Sequence, residues 1–465
     1  MRGTKLICTL GPATEDRVAE LVDAGMDVAR INLTHQGPEE RDRLVAAVRE
    51  ASAAAGKPVA VMADLSGPKV RLGELRGGEA VLRQGTRFTL RQGPAVGDET
   101  GAAASYPGLA GDLEAGDRIS LADGEVELRV LDSDREVVAE VVLGGVITSR
   151  AGVNVPTERL TLPPVTEKDR EDGAWAVSAG VDLVAQSFVR RAEDVHELRR
   201  LLGDRPPSVV AKIETRPAVV DAPRIAAAAD AIIVARGDLG VEADLVEIPV
   251  LQKELVEAAR DQGVPVIVAT QMLESMVREP EPTRAEVGDV AGAVFEGADG
   301  ILLSAETAVG AYPVEAARTA ARIAETAETR GRRFVAEPPD PGGPPDDAHA
   351  TCEAAADIAR EGGVVAVACF TRSGRTAALL SAARPLVPIV ALSPDEGVVR
   401  RLPLYHGVVP RTCRMPTGTD DMLAMLDSAL LETGAAAPGD QAVLVASTPF
   451  GQAHTNLLNV HRIFG

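Results

Sequence analysis

Eight short apolar runs constrain this chain more than any other feature. They are "KLICTL", "MDVARIN", "PVAVMAD", "VDLVAQS", "SVVAKIE", "DAIIVAR", "VPVIVATQ" and "DGILLSAE". Between most of them lie Ala/Glu/Arg-rich stretches such as "EDRVAELVDAG" and "LQKELVEAARDQG", with helical periodicity and a glycine stop. Strands alternating with helices imply a parallel sheet, and eight such units point to a closed (β/α)8 TIM barrel. An open doubly wound sheet is the alternative, because counting strands does not establish closure.

One interval breaks the rhythm. In "VLRQGTRFTL", "DRISLADGEVELRVL" and "REVVAEVVLGGVI" apolar and polar residues alternate between Gly and Asp turns. This predicts a small β-barrel lid domain over 73–155, inserted after the third barrel strand and placed over the strand ends. The barrel itself is then discontinuous, 1–72 and 156–335. The Pro/Gly/Asp stretch "RRFVAEPPDPGGPPDD" reads as a linker. Beyond it, "VVAVACFTRSGRTAALLSAARPLVPIVALS" has the order of a βαβ unit, so 346–465 is expected to be a C-terminal α/β regulatory domain.

A chain of 465 residues exceeds one compact core, in keeping with this division. Its net charge of −21 argues against nucleic acid and anionic membrane as partners; an anionic ligand would need cations gathered locally. No apolar run has the length of a membrane span, and "MRGTKLICTLGP" lacks a secretory pattern. Cys8, Cys352, Cys369 and Cys413 are scattered without metal-ligand spacing. A reduced, cytoplasmic protein with cysteines as small buried hydrophobes is expected.

In a barrel the C-terminal strand ends share one site. Here they carry Arg30, Asn32, Asp64, Ser187, Lys212, Glu214, Asp238, Thr270, Ser304 and Glu306. A strand-end Asp alone is more often a helix cap, so the convergence carries the argument. Glu214 and Asp238 on adjacent strand ends suit a hard cation such as Mg²⁺ (or Mn²⁺), which would keep positions open for substrate oxygens. Lys212, two residues before Glu214, points to the same side of an extended strand. A lysine beside a metal, with Arg30 nearby, suits an oxyanion-rich substrate such as a phosphate ester; a purely structural Lys–Glu pair is the alternative.

The ordered segments "TKLICTLGPAT", "ARINLTH", "LSGPKVRLG", "GVNVP", "AKIET", "VARGDLG", "ATQMLESM", "PTRAE" and "LSAETAVGAYP" closely resemble the pyruvate kinase family, over nearly the whole chain. The resemblance implies the glycolytic transfer of phosphoryl from phosphoenolpyruvate to ADP, giving pyruvate and ATP. By matching position, Lys212 would face the migrating phosphoryl group and Glu214 and Asp238 would hold the divalent cation. Backbone N–H groups around Gly237 and Asp238 would take the substrate carboxylate. Thr270 would sit near the methylene carbon and help protonate the enolate, with Ser304 and Glu306 as a polar relay behind it. Arg30, Asn32, His35 and Arg71 would contact phosphates of substrate or nucleotide.

Family members often carry a glutamate where this chain has Lys69, together with a K⁺ among residues matching Asn32, Thr34, Asp64 and the Leu65 carbonyl. Leu65 and Leu72 also follow the lysine-bearing subset. A tethered ammonium can supply the charge that K⁺ otherwise brings, so K⁺ is expected not to be required; a solvated Lys69 with K⁺ still bound is the alternative. Two other positions depart from the family. Ala151 replaces a lysine that reaches the nucleotide phosphates, with Arg150 adjacent but on the opposite face of an extended strand. Val309 replaces a residue that is often lysine, without expected catalytic consequence.

In the last domain Thr371, Arg372, Ser373, Gly374, Arg375 and Thr376 form a loop between strand and helix that could cradle a phosphate. It resembles the family's site for phosphorylated allosteric effectors, and an ordinary helix-capping turn is the alternative. A homotetramer is expected by resemblance. Two competing functions stay in view. One is a catalytically silent, pyruvate-kinase-like regulator that binds metabolites, against which the complete set Lys212, Glu214, Asp238, Thr270 and Arg30 speaks. The other is a different metal-dependent barrel enzyme such as an aldolase, against which the inserted β domain and the "TRSGRT" loop speak.

Overall fold

The computed structural model describes residues 1–34, 36–204, 206–337, 346–447 and 455–464. All eight apolar runs form strands, here β1 (Lys5–Leu10), β2 (Val28–Asn32), β3 (Ala60–Asp64), β4 (Leu183–Gln186), β5 (Ser208–Ile213), β6 (Ala231–Ala235), β7 (Val266–Ala269) and β8 (Gly300–Leu303). Every neighbouring pair is parallel and β8 pairs with β1, so the sheet closes and the open-sheet alternative falls. Alternation along each strand sorts the apolar residues into two cores. Ile7, Val28, Met62, Val210, Ile233 and Ile267 fill the barrel, while Leu6, Ile31, Val61, Val209, Ile232 and Val268 face the surrounding helices.

Between β3 and β4 the chain builds a separate body of β structure, a six-stranded and a two-stranded sheet around Phe88, Ile119, Leu121 and Leu128. The last domain is a five-stranded sheet, parallel except for the antiparallel edge strand Leu457–Arg462. Residues 338–345, the centre of the expected linker, lie outside the described residues; a helix begins at Asp347.

The floor of the barrel, at the N-terminal strand ends, is built by one repeated device. Asp27, Asp182, Asp230 and Asp299 stand immediately before β2, β4, β6 and β8. Each accepts the N–H of a residue in the preceding strand: Leu6 (2.9 Å), Val61 (2.8 Å), Val209 (2.7 Å) and Val266 (2.9 Å). Each is also neutralised by a guanidinium: Arg2 on Asp27, Arg49 and Arg400 on Asp182, Arg199 on Asp230, Arg384 on Asp299. Arg384 and Arg400 come from the C-terminal domain, whose Leu404 packs into the interior core from below. At this end each of the four carboxylates therefore has both an amide and a guanidinium.

Candidate active site

The opposite end is where the polar residues gather. A cavity of about 160 Å³ is lined by Arg30, Asn32, Thr34, Asp64, Leu65, Ser66, Lys69, Arg71, Ser187, Phe188, Lys212, Glu214 and Asp238. Asp64 ends β3 and anchors it. Arg30 from β2 grips one carboxylate oxygen with Nε (2.7 Å) and Nη2 (2.6 Å), and its Nη1 donates to Thr9 Oγ1. Lys212 from β5 lies 3.4 Å from the other oxygen.

Lys212 is 13% exposed, its Nζ 2.8 Å from Glu214 Oε1 and donating to Ser187 Oγ at 2.9 Å. Burial penalises the ammonium, but Asp64 and Glu214 outweigh it, and the pKa lies above the ordinary lysine value. The side chain is a fixed cation at any physiological pH. Burial and the nearby Asp238 raise the Glu214 carboxyl, against the pull of Lys212. For Asp64, Lys212 and Arg30 overcome the burial penalty and lower it. Glu214 Oε2 accepts the Phe188 N–H at 2.9 Å, while Oε1, though beside Lys212, accepts no directed hydrogen bond. Phe188 sits at φ 54°, in the left-handed region, which aims that amide. Nearby, Gly67 is required twice over. Its φ is 65°, and a Cβ there would stand 2.9 Å from Ser187 Cβ.

Asp238 enters on the short helix Arg236–Glu242 after β6, and Lys69 approaches it at 3.6 Å. Two carboxylates facing one cavity, one with a buried oxygen lacking a directed donor, fit a hard cation that shares its coordination with substrate. Among the described residues no group of three or more His, Cys, Asp or Glu side chains is placed to hold a metal, so a cation at Glu214 and Asp238 would take further oxygens from elsewhere.

Thr270 stands at the adjacent strand end, at φ 70° and followed by Gln271 at φ 52°. Its hydroxyl donates to the Ala269 carbonyl (2.6 Å) and accepts the Gly237 N–H (2.7 Å). The Gly237 amide, expected from the sequence to face a substrate carboxylate, is therefore already engaged. Ser304 and Glu306 are also arranged differently from the expected relay. Glu306 is fully buried, and its two oxygens accept the N–H groups of Leu273 (3.0 Å) and Ser304 (2.7 Å), so it anchors main chain beneath Thr270. Arg150, the neighbour of Ala151, lies at φ 64° in a turn rather than on the expected extended strand; its side chain pairs with Glu74 and is 77% exposed, and its carbonyl accepts from Arg71 Nη1 at 3.4 Å. His35 lies outside the described residues. Thr9, Ser66 and the Phe188 amide are site components that no sequence signal announced, since their roles come from backbone geometry and cross-strand reach.

In the C-terminal loop Thr371 Oγ1 accepts the Gly374 N–H, Arg375 pairs with Asp346, and the Thr376 and Thr455 hydroxyls meet at 2.9 Å. Arg372 and Ser373 are exposed.

Fold and rim together define a (β/α)8-barrel enzyme whose strand-end cavity gathers the cations Arg30, Lys69, Arg71 and Lys212 around Asp64, Glu214 and Asp238. The family model "Pyruvate kinase, barrel domain" matches residues 1–317, and "Pyruvate kinase, alpha/beta domain" matches 349–461. The pyruvate kinase of Geobacillus stearothermophilus is 40% identical over 472 residues, covering 99% of this chain and 80% of that protein. Those of Mycobacterium tuberculosis (41% over 470 residues) and Corynebacterium glutamicum (40% over 474 residues) are covered to 98% and 97%, again with 99% of this chain. The chain belongs to the pyruvate kinase family, and thus to the phosphotransferases.

Proposed function

We propose that the rim cavity transfers the phosphoryl group of phosphoenolpyruvate to ADP, yielding pyruvate and ATP. The observation that carries this reading is the Lys212 ammonium, buried and permanently charged between Asp64, Glu214 and Ser187. A phosphoryl group in flight spreads charge over its equatorial oxygens, and a preorganised cation in a water-poor site offsets that charge at little reorganisation cost. Arg30, locked to Asp64, presents a second fixed cation to the same oxygens. Glu214 and Asp238 would hold Mg²⁺ or Mn²⁺, which when bound neutralises charge on the phosphoryl and enolate oxygens. Asn32 and Arg71 line the cavity and are assigned to phosphate contacts of substrate or nucleotide. Thr270 Oγ1 has one lone pair left after its two hydrogen bonds, and we assign it to orient the water that protonates the enolate.

Lys69 supports a cycle without K⁺. It lines the same cavity as Asn32, Thr34, Asp64 and Leu65. Asp64 already carries Arg30 and Lys212. The Leu65 carbonyl accepts from Ser187 and the Asn32 amide oxygen from the Thr34 N–H. Little uncompensated negative charge is left for a monovalent cation. On the same reading the chain works in the cytoplasm as a homotetramer, with loop 371–376 open to a phosphorylated effector through the exposed Arg372. Among the described residues no helix is long and apolar enough to cross a membrane.

A coupled assay with phosphoenolpyruvate, ADP and Mg²⁺ tests the reaction, and pyruvate is expected only when all three are present. Absence of turnover in the folded protein would favour a silent metabolite binder. Repeating it with tetramethylammonium as the sole monovalent cation should preserve the rate. A large loss restored by K⁺ removes the role given to Lys69.

A further inference from the structure

The side chain that acts on the site from outside the cavity is Arg236. It begins the helix after β6, is 9% exposed, and meets the neighbouring strand end. Its Nη2 donates to the carbonyl oxygens of Thr270 (2.7 Å) and Gln271 (3.1 Å) and lies 2.9 Å from Met272 Sδ. Its Nη1 donates to Asp289 Oδ2 at 2.6 Å and reaches Gln252 Oε1 at 3.4 Å. One guanidinium thus ties the end of β6 to three consecutive residues after β7, braced from behind by the helices carrying Gln252 and Asp289.

Those three residues need a brace. A β-branched residue at φ 70° is a steric outlier, and such backbone persists only where the surroundings over-determine it. Two successive left-handed residues turn their carbonyls toward Arg236: Nη2 serves both, Nε adds a second contact to the Thr270 carbonyl at 3.3 Å, and Nη1 is held by Asp289; an ammonium has no such fixed geometry. The Gly237 amide, one residue on, closes the clamp by donating to Thr270 Oγ1.

We propose that Arg236 is a positioning residue for the proton-transfer half of the reaction. It holds Thr270 and Gln271 in the left-handed conformation and so fixes the Thr270 hydroxyl between the Ala269 carbonyl and the Gly237 amide. The remaining lone pair then points one water at the enolate. In the step it serves, a water O–H bond breaks and its proton joins C3. The C2–C3 π pair becomes the new C–H bond, C2–O becomes the ketone, and the hydroxide left behind takes a proton from solvent. This inference rests on the reading of Thr270 given above.

The test compares Arg236→Lys, Thr270→Ala and the parent enzyme. It reads deuterium uptake into the pyruvate methyl group in D₂O with Mg²⁺ and ATP, the KM for phosphoenolpyruvate, and the urea midpoint. Arg236→Lys keeps the charge opposite Asp289 but loses the fork. It should slow methyl exchange by about 10–100-fold with KM within about threefold, the pattern of lost orientation rather than lost binding. Guanidinium ion should restore part of the exchange to Arg236→Ala. If Thr270→Ala leaves exchange intact, the role of Thr270 fails and takes this inference with it. If Thr270→Ala abolishes exchange while folded Arg236→Lys does not slow it, only the positioning role falls. Should the arginine variants not fold, Asp289→Asn, at the half-exposed end of the brace, is expected to slow exchange a few-fold, and parental exchange there overturns the proposal.

Discussion

The two ends of the barrel bury the same kinds of groups and use them in opposite ways. At the floor, each of four aspartates accepts a strand amide with one oxygen and meets a guanidinium. At the rim, Asp64 carries Arg30 and Lys212, Lys212 is shared with Glu214, and Lys69 lies 3.6 Å from Asp238. The floor gives each carboxylate its own guanidinium, and those of Arg400 on Asp182 and Arg384 on Asp299 come from the next domain. The rim shares its cations between carboxylates, around one cavity, with left-handed residues at positions 188, 270 and 271. What separates a structural end from a chemical one is therefore how the carboxylates are paired, since charge, left-handed residues such as Arg384 and open space are present at both.

Removing one cation from the rim should break the contrast most visibly. Lys212→Met keeps the apolar stem and deletes the ammonium. Turnover is expected to fall by about 10³-fold or more, with substrate binding retained, because one preorganised charge in such a site is worth several kcal/mol in the transition state. Stability should suffer less than turnover. Asp64 keeps Arg30, and Glu214, already raised by burial, can take up a proton instead of standing as a bare anion. Asp299→Ala at the floor should do the reverse. It strands the Val266 amide and the buried Arg384 guanidinium, a loss of about 3–5 kcal/mol in urea unfolding, while kcat stays near the parental value below the unfolding transition. If the floor variant lost turnover as steeply as the rim variant, the division of labour between the two ends would be wrong.

The sequence carries the eight strands openly, because apolar runs at regular intervals can be buried in few other ways. Lys212 and Glu214 are equally legible, since a two-residue spacing on a strand fixes a shared face. The floor aspartates were also in plain view before "VARIN", "LVAQS", "AIIVA" and "GILLS", yet their function as clamps needs the register of the neighbouring strand. Arg236 and Glu306 are harder still. Arg236 sits inside a quoted motif, but its guanidinium serves the next strand's turn, and nothing in one chain's order says which backbone carbonyls will face it. Glu306 reads as a rim acid, although burial directs both its oxygens to main chain. Strand-end position says that a side chain reaches the rim and leaves open whether it meets substrate or the protein's own backbone.

Glu242 sharpens the comparison from a third place, the seam between barrel and insertion. It lines a pocket with Val155, Leu160, Leu162 and Phe188, and its Oε2 accepts from Thr157 Oγ1 (2.9 Å) and the Arg216 N–H (3.0 Å). Like a floor carboxylate it accepts a backbone amide, but its second donor is a hydroxyl in place of a guanidinium, since the Arg216 guanidinium pairs with Glu247. Burial pushes its pKa up to about 7, with Glu158 adding to the rise. The folded chain then holds a proton that the unfolded chain releases at ordinary glutamate pH. Stability is highest below that range and declines as pH rises toward 7, by at most about 3 kcal/mol. Glu242→Gln keeps an acceptor for Thr157 and Arg216 and cannot ionise. It should match the parent near pH 4.5 and exceed it by about 2–3 kcal/mol at pH 8 in urea unfolding. A difference independent of pH would mean that the seam, like the floor, already compensates its carboxylate. The seam would then belong with the floor, and the sharing of one cation between carboxylates would mark the rim.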